Sequence, residues 1–329
     1  MIYSASFLKY YLKTHIPELI WNTLANPVQQ FRQKNYSESI VVKSSAKIDS
    51  EVFVIRRRPP GGGLFSNVNH VLQGIEYAVI QNLTPVVDMQ NHWTTYSQRS
   101  EFHGSFNAWE YFFNPVSEIK LSDVEDFSRI RFSKGDRIND SSILADKSLK
   151  FTLDHSSIDF YGAMYQKYIK LNPETQEVIA RIKQSINWTP NSIGVSYRGT
   201  DYLDLKPRGH ARQPELFEVE KLMLEKIHKS PDSKILISTE DGNARETLSK
   251  TTRKKIYDDF RSEHILRKFI SKKSKPSPQV LKALGYLVEV ILLSESKTIV
   301  CSIANGSAAA ILLNKNSYQE PVIINKGSY

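Results

Sequence analysis

Cysteine is nearly absent: Cys301 is the only one in 329 residues. No internal disulfide can form and no cysteine cluster can hold zinc, which excludes a disulfide-stapled scaffold and a zinc ribbon. A reducing compartment is expected. Cys301 sits in an apolar run and reads as a buried, inert thiol. No stretch of about 18 consecutive apolar residues occurs, so no transmembrane helix is expected. The amino terminus lacks the basic start, apolar centre and small-residue cleavage site of a signal peptide, and a cytoplasmic location is expected. Glycines 61–63 miss the G-x-G-x-x-G spacing and no Walker lysine follows them. No Asp-x-Asp triplet follows a strand, so no cofactor is called for and metal-independent chemistry is expected, with arginines and a helix N-terminus doing the work of a cation.

What is abundant is positive charge. Lysine and arginine number 44 against 35 acidic residues, a formal net charge of +9. Nucleic acid, an anionic membrane surface and an anionic substrate compete as partners. The basic residues do not interleave with aromatics and no nucleic-acid motif is present, so no nucleic acid is expected. The densest cluster, Arg267 to Lys275, reads as a solvated loop, against a loop closing on phosphate or a patch for anionic inner-membrane lipid. Residues 7–21 are amphipathic: a helix packed on the first domain, or one lying on a membrane.

Strand and helix patterns alternate in both halves, which predicts α/β architecture with two parallel-sheet domains, 1–188 and 189–329. In the first, strand 52–57, a loop ending in three glycines, helix 66–82 and strand 84–89 form one unit, with Ser66 or Asn67 as the helix cap. Residues 90–115 are dense in aromatics and read as a packed subcluster or as a wall for an acceptor sugar. Residues 116–150 read as loop, followed by helices 158–171 and 173–186. In the second half, strands are expected at 193–197, 234–239, 298–302 and 321–325, and helices at 214–229, 243–250, 279–293 and 307–314.

Ligands of open α/β sheets bind beyond the carboxyl ends of strands, and polar residues gather there. The first strand of the second half runs into Arg198-Gly-Thr-Asp201. Arginine's planar fork suits diphosphate oxygens, although an ion pair with Asp201 is the plain alternative. Gly199 suggests close approach of a ligand. Arg208, His210 and Arg212 follow within reach as phosphate or base contacts. The next strand ends in Thr239-Glu-Asp241, whose carboxylates suit a ribose or a guanine edge, or simply cap the next helix. The one after ends in Ser302, with Asn305 close behind. In the first half, the backbone of Gly62 and Gly63 can approach an anion at the following helix N-terminus, and Asn67 is the side chain placed to meet the donor. A base must take the acceptor's proton, and Asp88 and Asp201 both stand as candidates.

Gly194-Val-Ser-Tyr-Arg-Gly-Thr-Asp201 resembles the histidine-x-arginine-x-x-aspartate motif of the fucosyltransferase-like superfamily, which includes nodulation-factor α-1,6-fucosyltransferases and protein O-fucosyltransferases. Gly61-Gly-Gly-Leu-Phe-Ser-Asn67 resembles their glycine loop, and Ser238-Thr-Glu-Asp241 and Val300-Cys-Ser302 their later motifs. The resemblance implies a GT-B-like fold of two Rossmann-like domains facing across a cleft, and metal-independent transfer from a GDP-fucose-type donor. It also implies that Arg198 binds the diphosphate, that Asp241 and Ser302 touch the nucleotide, and that Asn67 reaches across the cleft. Ser196 stands where that family has histidine, and Gly199 where it has a second arginine. Residues 201–210 and Asn107–Phe113 resemble bacterial capsule and O-antigen locus proteins, which implies a glycan or lipid-linked glycan acceptor. The expectation is an inverting glycosyltransferase using a nucleotide-diphospho-sugar. The rival is a non-catalytic sugar-nucleotide or glycan-binding protein of the same fold.

Overall fold

A computed structural model describes residues 36–136, 138, 155–199, 203, 206, 210–252, 256–271, 274–315 and 317–329. The amphipathic segment 7–21 and the candidates Asp201 and Arg208 lie outside them.

Two four-stranded sheets organise the chain. The first has the order β1-β4-β2-β3, from β1 (Ser39–Val42), β2 (Ile48–Arg56), β3 (Thr84–Asp88) and β4 (Phe127–Phe132). β2 runs parallel to both β3 and β4, and only β1 is antiparallel. Val52, Phe53, Val54 and Ile55 are all buried, as a strand covered on both faces requires. Phe53 and Ile55 join the main core, while Val52 and Val54 pack on Val124, Phe127 and Ile130. Expected as loop, residues 116–150 instead contain β4 and a 3-10 turn, Leu121–Asp126.

The helix after β2 is α1 (Leu64–Ile80). It starts from Gly63 with no side-chain cap, two residues before the predicted start, so Ser66 and Asn67 lie inside its first turn and cap nothing. A Cβ at Gly74 would stand 2.6 Å from Ile55, so glycine there lets α1 sit close to β2. α2 (His155–Tyr168) and α3 (Pro173–Ser185) follow, the latter capped by Asn172 through the Thr175 amide with Pro173 in the first turn.

The second sheet has the order β6-β5-β7-β8, all parallel: β5 (Ser192–Ser196), β6 (Lys234–Ser238), β7 (Thr298–Ser302) and β8 (Val322–Ile324). Between them run α4 (Leu216–Lys229), α5 (Gly242–Thr252), the single turn α6 (Glu263–Leu266), α7 (Pro278–Glu295) and α8 (Asn305–Asn314). Ile256 makes a parallel bridge to Ile235, and the Tyr257 amide donates to the Ile235 carbonyl at 3.0 Å. The segment after α5 is therefore a vestigial strand on the free edge of β6. Counted in chain order, the strands stand 3-2-1-4-5, the doubly wound pattern, with its switch point between β5 and β7.

The expected α/β plan of two mostly parallel sheets is thus the one adopted. One core cluster includes buried residues of α1, α2, α3, α7 and α8. α8 is buried nearly all round, and α7 and α1 both pack on it. Tyr96, Phe102, Trp109, Tyr111, Phe112 and Phe113 are buried in that core, so most of the aromatic segment is the packed subcluster, while Phe106 is exposed. Cys301 is fully buried, which pushes its thiol up to about 12, as an inert core cysteine requires. No helix among the described residues is long and apolar enough to cross a membrane.

Candidate functional site

The central strands of the two sheets deliver the site. β2 and β5 each end beside a switch point, and the residues beyond both ends line one cavity of about 450 Å³. Gly63, Leu64, Thr95 and Tyr96 line it from the first half; Arg198, Glu240, Arg261, Gln279, Lys282 and Tyr286 are the second half's polar wall.

On the first side, Gly61 turns the chain with a φ of +66°, a left-handed conformation that favours glycine. Asn67 is fully buried and holds that turn. Its Oδ1 accepts from Arg57 Nη1 at 2.7 Å and from the Gly62 amide at 3.2 Å, and its Nδ2 donates to the Gly62 carbonyl at 3.0 Å and to the Tyr96 hydroxyl at 3.3 Å. Arg57 Nη2 also donates to Ser66 Oγ at 3.0 Å, and Thr95 Oγ1 to the Gly62 carbonyl at 3.0 Å. The amide of Asn67 is thus spent on shaping the loop, and the loop presents Gly63 to the cavity.

His70 braces the same loop from behind: its Nε2–H donates to the Arg56 carbonyl at 2.9 Å. Burial, with the Arg57 cation adding to it, holds its pKa down at about 4. An unfolded histidine titrates near 6.5, so between those values the unfolded chain takes up a proton that the folded chain refuses. The contribution of His70 to stability is therefore intact above about pH 6.5 and shrinks as pH falls, by about 2 kcal/mol at pH 5. His70→Gln is expected to flatten this part of the acid limb, checked by comparing urea midpoints at pH 7 and pH 5. Equal slopes for variant and wild type would remove His70 as the cause.

On the second side, Arg198 Nε lies 3.3 Å from Glu240 Oε1, with about a third of its side chain exposed. That acid partner is Glu240, one strand away. Gly199 has a reason other than the expected ligand approach: a Cβ there would stand 2.6 Å from Asp241 Oδ2 and 3.0 Å from the Tyr197 ring. An arginine at this position has no room while Asp241 sits over it.

Arg261 completes the wall. Three groups hold it: Nε donates to Glu289 Oε2 at 2.7 Å, Nη2 to Ser238 Oγ at 3.1 Å, and the guanidinium lies 4.2 Å from the centre of the Tyr286 ring. Ser238 Oγ also donates to Glu289 Oε2, at 2.8 Å. Arg261 Nη1 faces Glu240 Oε2 at 3.8 Å. Of the charged side chains that line the cavity, three are cations and one is a carboxylate. Glu289 is a second acid behind them, fully buried, and burial raises its carboxyl above the ordinary value despite Arg261.

The remaining candidates are placed elsewhere. Thr239 is buried and its Oγ1 accepts from the Asp241 amide. Asp241 Oδ1 accepts from the Asn243 and Ala244 amides at 3.0 Å, the capping alternative. Ser302 is buried and donates to Gln213 Oε1 at 2.5 Å. Asn305 Oδ1 accepts from Asn69 Nδ2 at 2.9 Å and ties α8 to α1. The Arg212 guanidinium lies 5.6 Å from the Tyr329 ring, and the His210 carbonyl accepts from the Tyr329 amide, both beside the carboxyl terminus and outside the cavity lining. Asp88 lines a different cavity, of about 430 Å³, with His92, Gln90 and Asn91. Its carboxylate accepts from the Gln90 and Asn91 amides and from Asn91 Nδ2, and stands 3.7 Å from His92 Nε2. Burial lowers the His92 pKa. A larger hollow, about 730 Å³, follows the outer face of α4 past Phe217 and Leu224 and holds no strand end.

Of the sequence candidates, Gly63 and Arg198 therefore meet in one cavity. Arg261, Lys282 and Tyr286 are additions. One signal for Arg261 was present: Ile256-Tyr257 after α5 has the look of the next strand of a βαβ series, and Arg261 follows its end as Arg198 follows β5.

No protein-family model matches the chain, and no curated protein matches it. Solved structures do. A NodZ α-1,6-fucosyltransferase soaked with GDP-fucose is 15% identical, with 80% of this chain and 93% of that one covered at a TM-score of 0.44. POFUT1 in complex with GDP is 8% identical, with 85% and 98% covered and a TM-score of 0.49. A mutant of Arabidopsis thaliana FUT1 in complex with GDP is 10% identical, with 98% and 78% covered and a TM-score of 0.47.

Proposed function

We propose that the chain is a glycosyltransferase that takes a sugar from a nucleotide-diphospho-sugar, GDP-fucose being favoured, and passes it to a glycan acceptor by metal-independent, inverting displacement. The observation that carries this reading is the convergence of Arg198, at the switch point of the second sheet, with the glycine loop of the first on one cation-rich cavity. A diphosphate gains negative charge as its sugar departs, and preset cations stabilise that charge without reorganising. Arg198, Arg261 and Lys282 line the space where it would form, and the Gly63 backbone at the start of α1 adds a helix N-terminus. The guanosine preference rests on the motif resemblance at 61–67, 194–201, 238–241 and 300–302. So does the assignment to bacterial surface-polysaccharide synthesis, by way of 107–113 and 201–210. Of the two candidate bases for the acceptor, Asp201 and Asp88, Asp88 lines a different cavity with His92 beside it.

A thermal-shift panel of GDP-, UDP-, CMP- and dTDP-sugars is the first test. A ligand at a hundred times its dissociation constant adds about 2.7 kcal/mol, and GDP-sugars are expected to give the largest shift. No shift across the panel would sink the reading. The rival, a binding protein without transfer, draws on Ser196 and Gly199, where the family motif's side chains are lost and Asp241 fills the second arginine's space. Release of GDP from GDP-fucose separates the two.

A further inference from the structure

We infer that Arg261 is a second anion-binding arginine of this cavity, and that Glu240 is the counter-ion which a bound diphosphate displaces from between Arg198 and Arg261. The inference rests on the reading that the cavity takes a diphosphate, and adds how the charge is handled before and after binding.

The two acids that meet Arg261 are held very differently. Glu289 is fully buried and accepts from Arg261 Nε at 2.7 Å, the length of a strong charge-assisted hydrogen bond. With Ser238 and the Tyr286 ring it fixes the plane of the guanidinium and leaves Nη1 facing Glu240, a lining residue of the cavity. Glu240 lines the cavity itself and spans the two arginines with one oxygen to each, at 3.3 Å from Arg198 and 3.8 Å from Arg261. Both separations exceed those of a charge-assisted hydrogen bond. Its bridge to the arginines is therefore loose, while the brace behind Arg261 is tight. An anion with more oxygens and more charge can replace a loose bridge, and it meets arginines already spread to receive it. Without a counter-ion, two guanidinium groups facing one cavity would repel each other, so Glu240 also preserves the empty site.

The test is calorimetric titration of the full chain with inorganic pyrophosphate and with GDP. Glu240→Gln keeps the shape and removes the competing charge; it is expected to bind pyrophosphate about 2- to 5-fold more tightly than wild type. Arg261→Ala is expected to weaken pyrophosphate about 10- to 100-fold, but it strands the buried Glu289. The double variant Arg261→Leu with Glu289→Leu replaces the buried pair by apolar side chains, a change that such sites commonly tolerate, and should show the same loss while remaining folded. A folded double variant that binds pyrophosphate like wild type overturns the inference, as does weaker pyrophosphate binding by Glu240→Gln. If either result appears while Arg198→Ala abolishes binding, the inference fails and the diphosphate reading stands. Wild-type protein that binds neither pyrophosphate nor GDP overturns both.

Discussion

Arg198→Ala should lower turnover by about 10²- to 10³-fold, the usual cost of removing one preset donor to a developing negative charge, and leave the fold intact. The side chain stands at the end of β5, the strand at the switch point, and lines the cavity beside Gly63 and Glu240. Its ion pair to Glu240, at 3.3 Å, is about a third exposed on the arginine side. Such a pair contributes at most about 1 kcal/mol, which shifts the melting temperature by a few degrees in a chain of this size. Arg198→Lys keeps the charge and loses the planar fork, so it should recover only part of the activity. The measurement is GDP release and product formation with saturating acceptor, beside a melting curve for each variant. Full turnover in the folded Arg198→Ala protein would show that the charge on the leaving group is stabilised elsewhere.

What the amino-acid order made visible, and what it hid, follow from the range of the interactions. β2, β3, β5, β6 and β7 are short apolar runs bounded by turn residues, and their signal is local. Arg198 was legible because it follows such a run directly. β4 was hidden. Phe127-Ser-Arg-Ile-Arg-Phe132 has only Phe127 and Ile130 fully buried, so it lacks the alternation of a half-buried strand. Polar residues near strand ends were harder to read, because a short side chain can face either way. Asn67 and Ser302 both turn inward, to the glycine loop and to Gln213. Glu289 sits among apolar residues of α7, and its partners Arg261 and Ser238 are 28 and 51 positions away. No periodicity within α7 reveals such a contact; only the packing of α7 under the vestigial strand does.

That packing makes Gly285→Ala a highly destructive small change. Gly285 lies inside α7, where helix propensity alone favours alanine by about 1 kcal/mol. A Cβ at this position would stand 2.1 Å from the Phe260 carbonyl oxygen, 2.8 Å from its carbonyl carbon and 2.9 Å from the Arg261 Cα. All three are backbone atoms, so no rotamer change relieves the clash, and either α7 or the 256–261 segment must move. Steric insertion into a packed core costs about 1–3 kcal/mol and occasionally more. The segment is pinned to β6 by the Ile235 bridge, and α7 is buried along most of its length, so a net loss at the upper end is expected after the propensity gain. The site should suffer in the same step. Any shift of Phe260 and Arg261 pulls the guanidinium off Glu289, Ser238 and Tyr286, so pyrophosphate affinity should fall together with stability. Gly242→Ala is the matched control: its Cβ meets nothing within 4 Å, at the first residue of α5, and stability should be unchanged or slightly raised. Urea denaturation of both variants and pyrophosphate titration of the folded protein decide the matter. If Gly285→Ala proves as stable as wild type, the close seating of the 256–261 segment on α7 is wrong, and with it the fixed position of Arg261.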